Sequence, residues 1–206
     1  HELAAAATDA GAFESQIIPV ETENGTVSVD EGIRRGGSVE KLAKLQTVFK
    51  EDGVIHAGNA SQISDGSAAM LVMTSQRAKE LGLTPLVRVH TAVLAGDDPV
   101  MMLTAPIPAT AKALKKSGLS IDDIGTFEIN EAFAPVPLAW LKETGANPEL
   151  LNPHGGAIAL GHPLGGSGAR LMTTMIHNMV NNNIKYGLQS MCEGGGQANA
   201  TILELL

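Results

Sequence analysis

Apolar and polar positions change rhythm twice along the 206 residues. Residues 1–12 read as a helix that ends near Gly11. Residues 13–56 alternate differently. Short strand-like pieces, Gln16–Val20 and Thr26–Val29, lie among Glu, Asn, Gly and Arg, and a helical stretch follows over Val39–Leu45. This is a long excursion from a core, and long ordered loops are often functional. From Gly58 onward the pattern becomes regular. The apolar run Ser67–Met73 predicts a buried strand. Ser75 is placed to cap a helix over Gln76–Leu81, which Gly82 ends. Leu86–Ala95 predicts a strand. Pro108 opens a helix over Ala109–Lys116, closed by Gly118. Ile124–Ile129 predicts a strand and Glu131–Glu143 a helix. A glycine-rich stretch, 155–168, leads into a long helix over Ser167–Val180. Two last strands, Tyr186–Met191 and Ala198–Leu205, flank Gly194-Gly195-Gly196, a connection suited to an antiparallel pair. Strands that alternate with helices predict an α/β layered fold, its sheet mostly parallel with an antiparallel element.

Composition sharpens this picture. Hydrophobic residues make up 44% of the chain, enough for a core, but aromatics are only 3% and glycines number 23. Such a core packs helices on sheet through small side chains. The net charge of −8 argues against nucleic acid or an anionic membrane surface as a partner. No run is apolar for the length of a membrane helix, and no signal peptide is recognisable. The one cysteine, Cys192, rules out an intrachain disulfide and suits a reducing, cytoplasmic setting. The chain opens without Met, as His1-Glu2-Leu3-Ala4, in what reads as a helix interior without a cap. The expectation is a piece of something longer; a trimmed or processed N-terminus is the alternative.

Four runs can carry chemistry. The first in weight is Asn152-Pro-His-Gly-Gly-Ala-Ile-Ala-Leu-Gly-His-Pro-Leu-Gly-Gly-Ser-Gly-Ala-Arg170. Its glycines permit close backbone approach, and the helix that follows turns free N–H groups toward the loop. His162, set between Gly161 and Pro163, suits a base or hydrogen-bond donor, or else a structural residue capping a turn. A phosphate loop is excluded: after the Gly156–Gly161 spacing comes His-Pro, not Lys-Ser/Thr. Met191-Cys192-Glu193-Gly194-Gly195-Gly196-Gln197 sets a thiol before three glycines whose N–H groups can serve an anion; a small buried hydrophobe is the plainer role for Cys192. With one cysteine and scattered histidines, a zinc site is not expected. In Asn130-Glu131-Ala132-Phe133-Ala134, Asn130 either caps a helix or holds a water, and Glu131 fits a first-turn carboxylate. Ala57-Gly-Asn-Ala-Ser-Gln-Ile-Ser-Asp-Gly66 is either a satisfied turn or a surface for a flat polar ligand.

In this order, the four runs resemble the thiolase family, whose pattern is Ala-Gly-Asn-Ala-Ser…Asp-Gly, Asn-Glu-Ala-Phe-Ala, Gly-Gly-Ala-Ile-Ala-x-Gly-His-Pro and Cys-x-Gly-Gly-Gly. The resemblance covers nearly the whole chain. It implies the C-terminal half of a thiolase-like layered α/β fold, a mixed sheet with helices on both faces, plus part of a loop domain. Residues 1–56 would be the end of that loop domain and 57–206 the C-terminal domain. It further implies CoA-dependent cleavage of 3-ketoacyl-CoA, or the reverse Claisen condensation, by an acyltransferase of fatty-acid or related degradation. A biosynthetic acetoacetyl-CoA thiolase and a non-catalytic scaffold are the alternatives. By the same resemblance, His162 would activate a nucleophilic cysteine and then serve an oxyanion, Cys192 would carry the α-proton as a low-pKa thiolate, and Asn130 would hold a water. The Gly194 N–H would serve a second oxyanion, Ser61 would touch the pantetheine arm of CoA, and Phe133 would line the acyl pocket. No metal or cofactor is implied, with CoA and acyl-CoA as substrates; the partners would be the N-terminal half and further copies in a dimer or tetramer. Two departures stand out. His154 occupies a position where the family usually has Asn, and the family's nucleophilic cysteine is not in this chain.

Overall fold

A computed structural model describes all residues, 1–206. Its centre is a four-stranded sheet in the order β3-β6-β5-β4, formed by β3 (Val87–Gly96), β4 (Thr126–Ile129), β5 (Tyr186–Glu193) and β6 (Gln197–Leu205). The sheet is mixed, but the balance is the reverse of that expected from the alternation of elements. β3–β6 and β5–β6 are antiparallel, and only β4–β5 is parallel. The reason is local. The Gly194–Gly196 turn folds β6 straight back on β5, with Gly195 and Gly196 at φ 78 and 79, and β6 then offers its other edge to β3.

Side-chain alternation along the strands loads both faces. On β6, Ala198, Ala200 and Ile202 enter a core with Ala105, Ala109 and Ala113 and with Trp140. Ala109 and Ala113 lie on helix α4 (Pro106–Ser117), with Ala105 at its N-cap, and Trp140 lies on α5 (Pro135–Thr144). Leu203 turns the other way, onto Met175 and Met179 of the long helix α7 (Ser167–Asn182). Small residues on α4 bring it close to the sheet, as the low aromatic content foreshadows. Trp140, fully buried, donates its indole N–H to Thr110 at 2.8 Å.

Outside this body, α1 (Glu2–Asp9) buries Ala4, Ala5 and Ala7, with Ala4 against Gly155. A two-stranded hairpin, β1 (Val20–Thr22) with β2 (Gly25–Val27), is fully exposed. Strand-like Gln16–Val20 therefore contributes only its last residue. The single turn α2 (Val39–Leu42) is shorter than the expected helix.

Other expectations are corrected. Thr74, not Ser75, caps α3 (Ser75–Glu80), accepting from the Arg77 N–H at 3.2 Å. Pro106, not Pro108, opens α4. The run Ser67–Met73 is no buried strand: it pairs with nothing, and Leu71 and Val72 are 79% and 73% exposed. Its apolar pattern has no partner strand among these residues. The helix expected from Glu131 begins only at Pro135, whose fixed φ and missing N–H suit a first turn. Asn130 is therefore not a cap; Ala134 holds that place.

Candidate active site

β4 delivers Asn130. Its N–H donates to Ser190 O at 3.0 Å, the last parallel rung before the chain leaves the sheet. Asn152, at φ 45, clamps that end. Its amide donates to Ile129 O and accepts from the Ile129 N–H, both at 2.9 Å, and also donates to Glu131 Oε1 at 3.1 Å. Glu131 Oε2 accepts the Ile158 N–H at 3.1 Å, in the first turn of the short helix α6 (Ala157–Leu160). Glu131 is thus a strut between two of the recognised runs and not a first-turn carboxylate of α5. Gly156 lies so close to that carboxylate that any Cβ would collide with it.

The run 57–66 is stitched across the same place. Ser61 N–H donates to Ala132 O at 3.0 Å, and Ala134 N–H donates to Asn59 O at 2.8 Å. Phe133 faces Ala60 in an isolated bridge and stacks edge-on with Phe49, centroids 5.8 Å apart. Gln62 joins this run to the glycine-rich one. Its side-chain amide donates to Gly32 O and Ile158 O, both at 2.8 Å, and to Ala159 O at 3.2 Å. The His162 N–H is shared between Gln62 O at 3.0 Å and Ser64 Oγ at 2.9 Å. Gly161, at φ 89, leaves no room for a side chain beside Ser64.

The imidazole of His162 is set by Ser167. Ser167 Oγ donates to Pro163 O at 2.8 Å and lies 2.5 Å from His162 Nδ1. The one hydroxyl proton goes to the carbonyl, so Nδ1 is the donor of the pair. In the neutral ring, Nε2 then carries the free lone pair. Burial pushes the His162 pKa below its ordinary 6.5, which keeps the ring neutral near pH 7.

Cys192 is half-buried near the end of β5, opposite Ala198. Burial pushes its thiol above its ordinary 9.0, one backbone hydrogen bond opposes this, and the Glu193 carboxylate adds to the rise. A low-pKa thiolate is therefore not what this chain makes by itself; Cys192 is a thiol. Gly194 is exposed in the hairpin turn, its N–H making no hydrogen bond within the chain. The fold thus ties the runs that hold Ser61, Phe133 and His162 into one hydrogen-bonded assembly, and β4 sets Asn130 beside it with its side chain unpaired. Cys192 and Gly194 follow Ser190, which accepts the Asn130 N–H, along β5 and into its turn, with no hydrogen bond from Cys192 to His162.

His154 stacks edge-on with Phe13 at 6.0 Å, its Nδ1 buried without a partner, and burial lowers its pKa. Sequence reasoning missed Gln62, Ser167 and the Asp30–Arg170 pair, whose two bonds are 2.8 and 2.7 Å. Gln62 and Ser167 lie inside recognised runs; nothing in the sequence marks Asp30 as the partner of Arg170. Beside His162, residues 64–68 and 163–166 form a shallow groove of about 340 Å³.

Comparison with known proteins places this arrangement. The family model of the thiolase C-terminal domain matches residues 83–205, and that of the thiolase N-terminal domain matches residues 1–76. The chain is 57% identical over 206 residues to the steroid 3-ketoacyl-CoA thiolase FadA6 of Mycobacterium tuberculosis, covering 100% of this chain and 50% of that protein. It is 48% identical to a 3-ketoacyl-CoA thiolase of Photobacterium profundum, covering 99% of this chain and 55% of that protein. Among solved structures, the Bacillus anthracis acetyl-CoA acetyltransferase superposes with a TM-score of 0.95 at 41% identity, over 100% of this chain and 53% of that one. The human mitochondrial 3-ketoacyl-CoA thiolase in complex with CoA gives 0.93 at 40% identity, over 99% and 52%. The chain spans about half the length of these relatives. With two family models covering nearly all of its residues and its fold superposing on solved members, the chain belongs to the thiolase family.

Proposed function

We propose that this chain supplies the C-terminal catalytic groups of a degradative thiolase, which cleaves a 3-ketoacyl-CoA with CoA. The observation that carries this is His162: neutral, with Nδ1 committed to Ser167 and Nε2 left free. Such a nitrogen can take the proton of a thiol and return it to an oxyanion. The nucleophilic cysteine comes from an N-terminal half, which carries the acyl group. Cys192, a thiol at neutral pH, gives the α-proton in the cleavage direction. Asn130 holds a water that completes the oxyanion site with His162, and the free Gly194 N–H serves the acyl-enzyme oxyanion. Ser61 contacts the pantetheine arm, and Phe133 lines the acyl pocket. The CoA-bound relative supports CoA as substrate, and the names of the two bacterial relatives support a 3-ketoacyl-CoA substrate. The enzyme is a cytoplasmic dimer or tetramer.

The test is thiolysis of acetoacetyl-CoA and of longer and steroid-bearing 3-ketoacyl-CoA substrates. It is run with the chain completed by a thiolase N-terminal half. Activity that depends on both halves, with longer substrates preferred, is expected. No activity from the completed enzyme on any of them would overturn the proposal. A preference for acetoacetyl-CoA alone would favour the biosynthetic type.

A further inference from the structure

Glu128 sits in the middle of β4 with none of its surface exposed, and neither carboxyl oxygen has a hydrogen-bond partner. Two residues on, Asn130 is 1% exposed, and neither its Oδ1 nor its Nδ2 has one. Strand alternation puts both on the face toward α7, where Thr126 already accepts from Asn178 at 3.0 Å. Both line one small cavity, together with Ser167, Arg170 and Thr174 among others. Its volume is about 10 Å³, close to what one water occupies. Residues i and i+2 on one face of a strand stand roughly 6.5–7 Å apart, a gap that one bridging water spans.

We infer that Glu128 is a positioning residue, which fixes the Asn130 amide through one water held between them in this cavity. Its role rests on the thiolase reading of Asn130 given above. The water donates one proton to Asn130 Oδ1, and the carboxyl takes up the water's remaining capacity. With Oδ1 held on the cavity side, Nδ2 is left to donate toward the reaction site. This decides between the two flips of an amide that otherwise has no partner to choose one. The cavity's cation does not compete. Arg170 is held by both carboxylate oxygens of Asp30 and by Leu160 O. Glu128 is thus left without a counter-charge, and its pKa is pushed well above its ordinary 4.5. Burial is the largest cause, and Glu131 adds to it more than Arg170 relieves it. The Ser167 that orients His162 lines the same cavity, so the two oxyanion-directed side chains are braced from one place.

The test uses the completed enzyme. High-resolution crystal structures should show one water within hydrogen-bond distance of both Glu128 and Asn130. It should persist in Glu128→Gln and be gone in Glu128→Leu. Glu128→Leu should lower kcat by up to about 100-fold, the scale of a misplaced catalytic group, with KM little changed, whereas Glu128→Gln keeps most of kcat. In an Asn130→Ala background, Glu128→Leu should cause no further loss, because the two act through one interaction. A purely structural role predicts additive losses instead. Additive losses, an unchanged kcat in Glu128→Leu, or a cavity without the shared water would each overturn the inference. An inactive completed wild type would sink the thiolase reading itself, while the crystallographic water would still decide whether Glu128 holds Asn130.

Discussion

At the scale of single residues, His162 is the centre of the proposed chemistry. A ring held below its ordinary 6.5 is ready to accept a proton across the neutral range and loses that capacity only on acidification. The pH profile of kcat/KM should therefore show an acid limb below 6.5, assigned by its disappearance from the residual activity of His162→Ala. That variant should lose about 10²–10⁴-fold in kcat/KM, the range for removing a positioned acid–base group. Ser167→Ala should cost less, because it frees the tautomer without removing the base. A steady-state assay of both variants checks the order; equal losses would mean that Ser167 acts other than through the ring. Cys192 was legible as a candidate from its place before three glycines. Its protonation was not, because the thiol's pKa follows from burial that only the packed β5 creates.

Among the elements, the close fit of α7 on the sheet is the feature most open to test. A Cβ at Gly187 of β5 would lie 2.7 Å from the sulfur of Met179 and 2.9 Å from that of Met175. Gly187→Ala should thus push α7 outward and cost roughly 1–3 kcal/mol, the usual penalty of overpacking, measured by denaturant unfolding of the completed protein. Since α7 begins at Ser167, some loss of activity should accompany it. The helix α7 and the last two strands were legible within a residue or two, and the end of α4 within one, because their periodicity runs long and Gly118 and Asn183 stop the helices in the left-handed region. The start of α5 was not. Asn-Glu-Ala-Phe-Ala has helix-forming residues, but its backbone groups are taken by residues 59–61, far away in sequence.

For the molecule as a whole, two opposing titrations shape stability. His154, His162 and His177 all hold their protons less well folded than the ordinary 6.5. Below that pH the unfolded chain binds more protons, so stability falls as pH drops from 6.5 and is unaffected by them above it. Glu128 has the opposite sign, its pKa raised well above 4.5 in the fold. The stability it removes therefore grows as pH rises from 4.5 toward its folded value. Glu128→Gln should raise the melting temperature at neutral pH and leave it unchanged below 4.5; an equal rise at both pH values would contradict this sign. The unpaired run Ser67–Met73, with Leu71 and Val72 exposed, should gain protection from hydrogen exchange when an N-terminal half is added. Exchange that is unchanged would argue that this segment is not where the halves meet.

The family and the layered α/β class were determined by the sequence alone, because four motifs in fixed order require specific residues at close backbone approaches, as Gly156 and Gly161 show. So was the pairing of β5 with β6, since the three glycines between them permit the turn. Only the tertiary structure decided the rest. The balance of antiparallel and parallel pairings depends on β6 offering its other edge to β3, a long-range choice that no local pattern encodes. The apolar run Ser67–Met73 reads as a core strand, yet burial needs a partner, and its residues do not name one. Glu128 and Asn130 look like two polar residues in and beside a strand. Their meeting with Ser167 and Arg170 around one cavity comes from α7 lying across β4, a contact between segments some 40 residues apart in the chain.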